Sequence, residues 1–297
     1  MTMPTDVSLP VFAAPPGGAL TVAMTSAFDA NGFLVLEDFV GRDACTGLRA
    51  RALELVEAFD PADVRSVFST TDREQHQDRY FMESGDRIHF FLEAGAFDQF
   101  GRLVQSKEDS LNKMGHAMHD LDPVFDRFSH KPALAEIARR LGVRDAGVLQ
   151  SMYIFKPPRI GGEVVFHQDS TYIYTEPESC LGFWFALEDA TTDNGCLWFI
   201  PGGHKGPLRE RSHRTGDFGL MLETLDDSPF DEARAVPVEA RGGTLVVFAG
   251  RAPHYSGPNR SERSRHAYTL HAIDRACHYP ADNWLQRGDD MPLRGFD

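Results

Sequence analysis

Phe166-His167-Gln168-Asp169-Ser170 lies between two strand-like runs, and its reading decides the fold. In extended backbone, side chains two residues apart share a face, so His167 and Asp169 reach toward one point while Gln168 turns away. An imidazole nitrogen and a carboxylate oxygen, each about 2 Å from a divalent ion, form two parts of a 2-His-1-carboxylate set. The pattern alone carries little weight. A chain with 12 histidines shows a His-x-Asp roughly once by chance. It gains meaning if a second histidine and an anchor for a co-ligand follow.

A metal held between strands asks for a sandwiched or barrel-like β-structure, and the surrounding sequence supplies one. Strand-like runs cover residues 148–155, 171–174, 181–187, 196–200, 236–238, 244–249 and 265–273, separated by turn signals such as Pro157-Pro158, Gly161-Gly162 and Asp193-Asn194-Gly195. A polar insertion, 205–234, interrupts them. Before residue 146 the pattern is mainly helical: residues 20–30, 41–59, 110–121, 123–128 and 132–141 carry helical spacing, with short strands at 33–36 and 88–92. The expected fold is mainly β with flanking helices around a jelly roll of the cupin kind. The expected organisation is a flexible arm, 1–18, and a single domain, 19–297. That domain comprises a helical part, 19–145, a jelly-roll core, 146–275, and a tail, 276–297.

Composition narrows the partners. At 297 residues the chain can bury a sizeable core, and its 42% hydrophobic and 25% charged content is that of an ordinary globular protein. A formal net charge of −14 opposes a broad grip on nucleic acid or an anionic membrane, so an anionic ligand needs a local basic pocket. No apolar run is long enough to span a bilayer. Cys45, Cys180, Cys196 and Cys277 form no Cys-x-x-Cys pair, which suits reduced thiols and a cytoplasmic setting. Nothing in the pattern bears on oligomeric state.

His254, in Ala252-Pro253-His254-Tyr255-Ser256, follows the strand run 244–249 and closes the 2-His-1-carboxylate set. His89, His116, His119, His204 and His271 are expected to be structural or to support the ligands. Arg265 lies eleven residues beyond His254, at the start of the last strand. If 2-oxoglutarate chelates an iron through its keto acid end, its distal carboxylate needs a partner, and the guanidinium fork is the best geometric match.

His167-Gln168-Asp169, Asn194-Gly195-Cys196-Leu197-Trp198-Phe199-Ile200-Pro201-Gly202-Gly203-His204 and the pair His254 and Arg265 together resemble the phytanoyl-CoA dioxygenase family of Fe(II)/2-oxoglutarate oxygenases. The likeness extends from about residue 29 to 285. It implies a double-stranded β-helix core with Fe(II) on His167, Asp169 and His254. It also implies 2-oxoglutarate contacts from Lys113, Met152, Trp184, Ser256 and Arg265. O2 is the implied oxidant, and a small molecule, an acyl-CoA or another lipid-like compound or metabolite, the implied substrate. Hydroxylation of a C–H bond with release of succinate and CO2 is the expected reaction. Gln150 and Ile154, on the same strand face as Met152, are expected to line the substrate pocket, with loops 62–87 and 205–234. Two other readings stand beside this one: a non-oxidative cupin-like metal protein, an isomerase or binding module, and a 2-oxoglutarate-binding sensor. Paired cations aimed at a distal carboxylate argue against the first, and succinate release separates the second.

Overall fold

The structure is a computed structural model that describes residues 9–60, 66–70, 78–216 and 219–296. In chain order the strands are β1 (Val11–Ala13), β2 (Phe33–Glu37), β3 (Val67–Phe68), β4 (Ile88–Glu93), β5 (Leu111–His116), β6 (Ala146–Ile154), β7 (Val164–His167), β8 (Leu181–Ala186), β9 (Leu197–Phe199), β10 (Glu210–Thr215), β11 (Gly219–Thr224), β12 (Val236–Val238), β13 (Leu245–Ala249), β14 (His254–Ser256) and β15 (Ala267–Asp274). The helices are α1 (Val22–Asn31), α2 (Arg42–Ala58), α3 (Arg79–Met82), α4 (Met118–Leu121), α5 (Pro123–Ser129) and α6 (Pro132–Arg140).

Alternation along the strands builds two faces. A large sheet runs in the order β1-β2-β13-β8-β15-β6-β5-β4-β3, and a smaller one in the order β12-β9-β14-β7. On the large sheet, Leu34, Phe183, Phe185, Tyr268, Leu270 and Tyr153 turn outward. They pack with Leu48, Ala52 and Val56 of α2, Phe125 and Phe128 of α5, and Leu134 and Ile137 of α6. Each large side chain buried there contributes about 1.5–3 kcal/mol, so this layer fastens the helices to the sheet. The residues between them turn inward: Phe33, Val35, Trp184, Ala186, Val246 and Phe248 meet Leu197 and Phe199 of the small sheet. This is the jelly roll. Pro237 sits in β12, at the edge of the small sheet, where its missing N–H leaves no ladder bond broken.

Register sets the inward-facing rows that frame the site. Val246, Trp184, Thr269, Met152 and Gly115 stand side by side across five strands. One pleat along, Phe248, Gly182, His271 and Gln150 form a second row. On the other side, Ala186, Ala267, Ile154, Lys113 and Phe91 form a third.

Several sequence expectations change. Residues 110–121 are not one helix: 111–116 are β5, and only Met118–Leu121 turn helically. Leu111 and Met114 have helical spacing, but β5 pairs with β4 on one side and β6 on the other. Two ladders outweigh a weak helix preference in a stretch that also contains Asn112 and Gly115. Residues 171–174 are not a strand, because the Asp169 carbonyl accepts the N–H of Tyr172 and Ile173, each at 2.9 Å, and curls the chain. The 205–234 insertion contains the β10–β11 hairpin. Within the expected arm, Val11–Ala13 pair in parallel with β2. The expected helical part adds β2 to β5 to the same large sheet, so no structural break falls near residue 146. Of the expected 62–87 loop, 62–65 and 71–77 lie outside the described residues. No helix of the described residues is long and apolar enough to cross a membrane.

Candidate metal centre

β7 and β14 lie side by side in the small sheet, with His254 opposite His167. Asp169 follows directly, at the start of the turn after β7. One ligand atom from each of His167, Asp169 and His254 can be chosen so that all three lie within 4.8 Å of one another. His167 Nε2 is 3.5 Å and His254 Nε2 3.7 Å from Asp169 Oδ1. Each histidine donates its Nδ1–H to a backbone carbonyl, His167 to Val165 at 2.8 Å and His254 to Ala252 at 3.0 Å. That fixes one tautomer for both rings and leaves each Nε2 lone pair facing Asp169, the arrangement a metal-binding imidazole requires. Burial pushes the Asp169 carboxyl up, but His271, His254 and His167 more than offset it and hold it well below the usual carboxylate range.

Asp169 is oriented from behind. Its Oδ2 accepts the Nε2–H of His271 at 2.8 Å, and His271 Nδ1 accepts from Gln150 Nε2 at 2.9 Å. The sequence places His271 among five histidines expected to be structural or to support the ligands. The position of His271 an even number of residues beyond Arg265 along the last strand carried the signal, because period two places Arg265 and His271 on one wall. Phe248 lies with its ring 4.8 Å from that of His254. Gly182 makes room for it, since a Cβ there would sit 2.3 Å from the Phe248 ring.

The three residues line a cavity of about 180 Å³ between the sheets. At its far end Arg265 is 2% exposed. Its Nε donates to the Gly195 carbonyl at 3.1 Å and its Nη2 to Ser256 Oγ at 3.1 Å, while Nη1 has no partner. Ser256 Oγ in turn donates to Gly195 O at 3.0 Å, so Ser256 aims the guanidinium. Burial lowers the Arg265 pKa to about 10, still cationic at neutral pH. Trp184 Nε1 and Thr269 Oγ1, neighbours in one row, are likewise unpartnered. Thr269 was not among the residues expected from sequence. Three unsatisfied buried groups able to donate, one of them charged, are what a buried carboxylate calls for.

Lys113 enters the same cavity from β5, its ammonium 3.5 Å from the centre of the Phe68 ring and 3.8 Å from Met152 Sδ. Among the described residues no carboxylate lies within ion-pair distance of it, and burial lowers it from 10.5 to about 7. Ile154, its neighbour across the ladder, and Gln150 also line the cavity. Thus all ten residues expected from sequence meet in one space. The donor set suits a divalent ion beside a dicarboxylate. His167, Asp169 and His254 are the residues available to the ion, and Arg265, with Lys113, to the distal carboxylate.

The model of the phytanoyl-CoA dioxygenase (PhyH) family matches residues 28–267. Phytanoyl-CoA dioxygenase 1 of Oryza sativa subsp. japonica is 47% identical over 277 residues, covering 92% of this chain and 96% of its own. Phytanoyl-CoA dioxygenase domain-containing protein 1 of Bos taurus is 44% identical, covering 92% and 97%. Among solved structures, EvdO2 from Micromonospora carbonacea var. aurantiaca complexed with 2-oxoglutarate superposes with a TM-score of 0.55 at 26% identity, covering 90% of this chain and 98% of that one. The chain therefore belongs to the phytanoyl-CoA dioxygenase family and is an Fe(II)/2-oxoglutarate-dependent dioxygenase.

Proposed function

We propose that this enzyme hydroxylates a C–H bond of a small molecule. In this reading His167, Asp169 and His254 hold the iron and Arg265, helped by Lys113, holds the distal carboxylate of 2-oxoglutarate. Bound iron, 2-oxoglutarate and O2 together supply the oxidation, with succinate and CO2 as co-products. The chain's own residues supply geometry. His271 holds Asp169 in place, the Val165 and Ala252 carbonyls hold the imidazoles in their ligating tautomer, and Ser256 holds the Arg265 fork toward the cavity. Phe248 and Leu197 keep the wall beside the ligands apolar and exclude water. The retained carboxylate at 169 favours hydroxylation over halogenation, which needs that position vacated for a halide.

The observation that carries the reading is the presence, in one cavity, of three converging ligand atoms and an unpaired buried guanidinium. The relatives' name raises an acyl-CoA thioester as one substrate class. We assign the reaction to residues 19–297 acting as one unit, and the four unpaired cysteines suit a reducing, cytoplasmic setting. Succinate formation from 2-oxoglutarate, dependent on Fe(II) and O2, is the test. His167→Ala and Asp169→Ala should each abolish it, and turnover surviving either change would sink the assignment.

A further inference from the structure

The cavity wall opposite Arg265 carries two polar atoms that nothing in the described structure satisfies. Gln150 is 5% exposed and His116 fully buried, both line the cavity, and Gln150 Oε1 and His116 Nε2 have no partner. They stand on adjacent strands, and the Lys113 ammonium and His271, the neighbour of Gln150, both lie within electrostatic reach of His116.

The hydrogen-bond network determines the polarity of both atoms. His271 uses its Nε2–H on the Asp169 carboxylate, so its Nδ1 is an acceptor. That acceptor takes an N–H of Gln150, which orients the amide and leaves Oε1 as the unpartnered end. On β5, Ser84 Oγ donates its only hydrogen to the Phe81 carbonyl at 2.6 Å. Its contact with His116 Nδ1 at 2.8 Å must therefore be donated by the ring. A neutral imidazole protonated at Nδ1 has a bare lone pair at Nε2. Both orphaned atoms are thus acceptors, set beside the apolar surfaces of Phe81, Ile173 and Trp284, with the Lys113 ammonium on the same cavity wall.

We propose that Gln150 and His116 form the substrate-recognition subsite of this cavity, and that it takes a compact apolar molecule presenting hydroxyl or amine hydrogens. This rests on the reading of the cavity as an oxygenase active site. A carboxylate, a phosphate or a thioester carbonyl brings acceptors only and would leave Oε1 and Nε2 desolvated against like partners. An acyl-CoA entering reactive end first finds no complement at these two atoms. A substrate donor bound at Oε1 lies three hydrogen bonds from Asp169, through Gln150 and His271, so the contact that selects the substrate also places it beside the metal ligands.

Two measurements test this. Nitrogen-15 NMR of the full chain labelled at histidine reports the His116 tautomer, and a proton on Nε2 with a bare Nδ1 would overturn the proposal. The second uses the protein saturated anaerobically with Fe(II) and 2-oxoglutarate. It is titrated calorimetrically with cis-1,2-cyclohexanediol, with the dimethyl ether of that diol, and with cyclohexanecarboxylate. The diol should bind at least about tenfold more tightly than either, equivalent to about 1.4 kcal/mol, since the ether and the carboxylate leave both buried acceptors unsatisfied. Gln150→Leu and His116→Phe should each reduce that preference to within about twofold. An ether or carboxylate that binds as well as the diol, no binding by any probe, or a preference unchanged in both variants would refute it. Neither measurement requires turnover, so a failure of the oxygenase reading, seen as absent succinate formation, is distinguishable from a failure here.

Discussion

Arg265 and Lys113 both bring positive charge to one cavity, but their settings differ. Arg265 is held by Gly195 and Ser256 and keeps its charge, whereas Lys113 stands among Phe68, Phe81 and Phe91 with its ammonium weakened by burial. Replacing Arg265 with Lys removes the fork and leaves a point charge that cannot make the paired bonds. We expect the KM for 2-oxoglutarate to rise roughly 10- to 100-fold, the worth of one charge-assisted contact, with a smaller effect on kcat at saturating co-substrate. Lys113 gives a pH signature. Without ligand, the folded chain releases this proton near pH 7 while the unfolded chain keeps it to about 10.5. The unfolded state therefore binds more protons between those values, and stability rises with pH across that window. Lys113→Met should flatten part of the rise in denaturation midpoint between pH 7 and 9. Lys156, also lowered to about 7 by burial and by Arg265, accounts for some of the remainder. Affinity for 2-oxoglutarate should move the opposite way, weakening as pH climbs through 7 to 9 because binding draws on the ammonium form. The variant should show less of that dependence in direct titrations.

At the scale of the element, β8 shows how a missing side chain shapes the site. Gly182 lies beside Phe248 on β13 and His271 on β15, and Phe248 packs on the His254 ring. A methyl group at 182 would drive into the Phe248 ring, and with close-packed strands on both sides the ring must shift toward His254. Gly182→Ala should cost about 1–3 kcal/mol in urea denaturation and weaken Mn(II) binding as well, which a purely structural cavity effect far from the ligands would not do. An unchanged metal affinity would show that Phe248 does not position His254. The same sheet explains what was legible in advance. β2, β6, β8, β13 and β15 are mainly apolar runs buried on both faces and bounded by turn signals, and were readable as strands for that reason. β5 was not, because its ladders come from β4 and β6, and its own residues carry helical spacing as readily as strand spacing.

The whole molecule couples metal binding to stability. His167 and His254 belong to the small sheet and Asp169 to the turn after it, while His271, which orients Asp169, belongs to the large one. An ion held by the first three therefore ties the two layers together, and only the folded chain offers that arrangement. At a free concentration 100 times its Kd, Mn(II) should stabilise the fold by about 2.7 kcal/mol. For a chain of this size that is a rise in Tm of roughly 4 °C. Calorimetric scans with and without the ion should show the rise in the wild type and lose it in Asp169→Ala.

The sequence by itself determined the jelly-roll class and pointed to the candidate ligand set, the order in which it appears and the cation that follows it. These depend on residue type and on period two, which are local properties. Only the tertiary structure decided that 111–116 pair as a strand, that His271 and Gln150 stand behind Asp169, and that Thr269, Gln150 and His116 leave unsatisfied atoms in the cavity. Whether a polar group is satisfied depends on what faces it from other strands, and ladder register, not spacing along the chain, sets that.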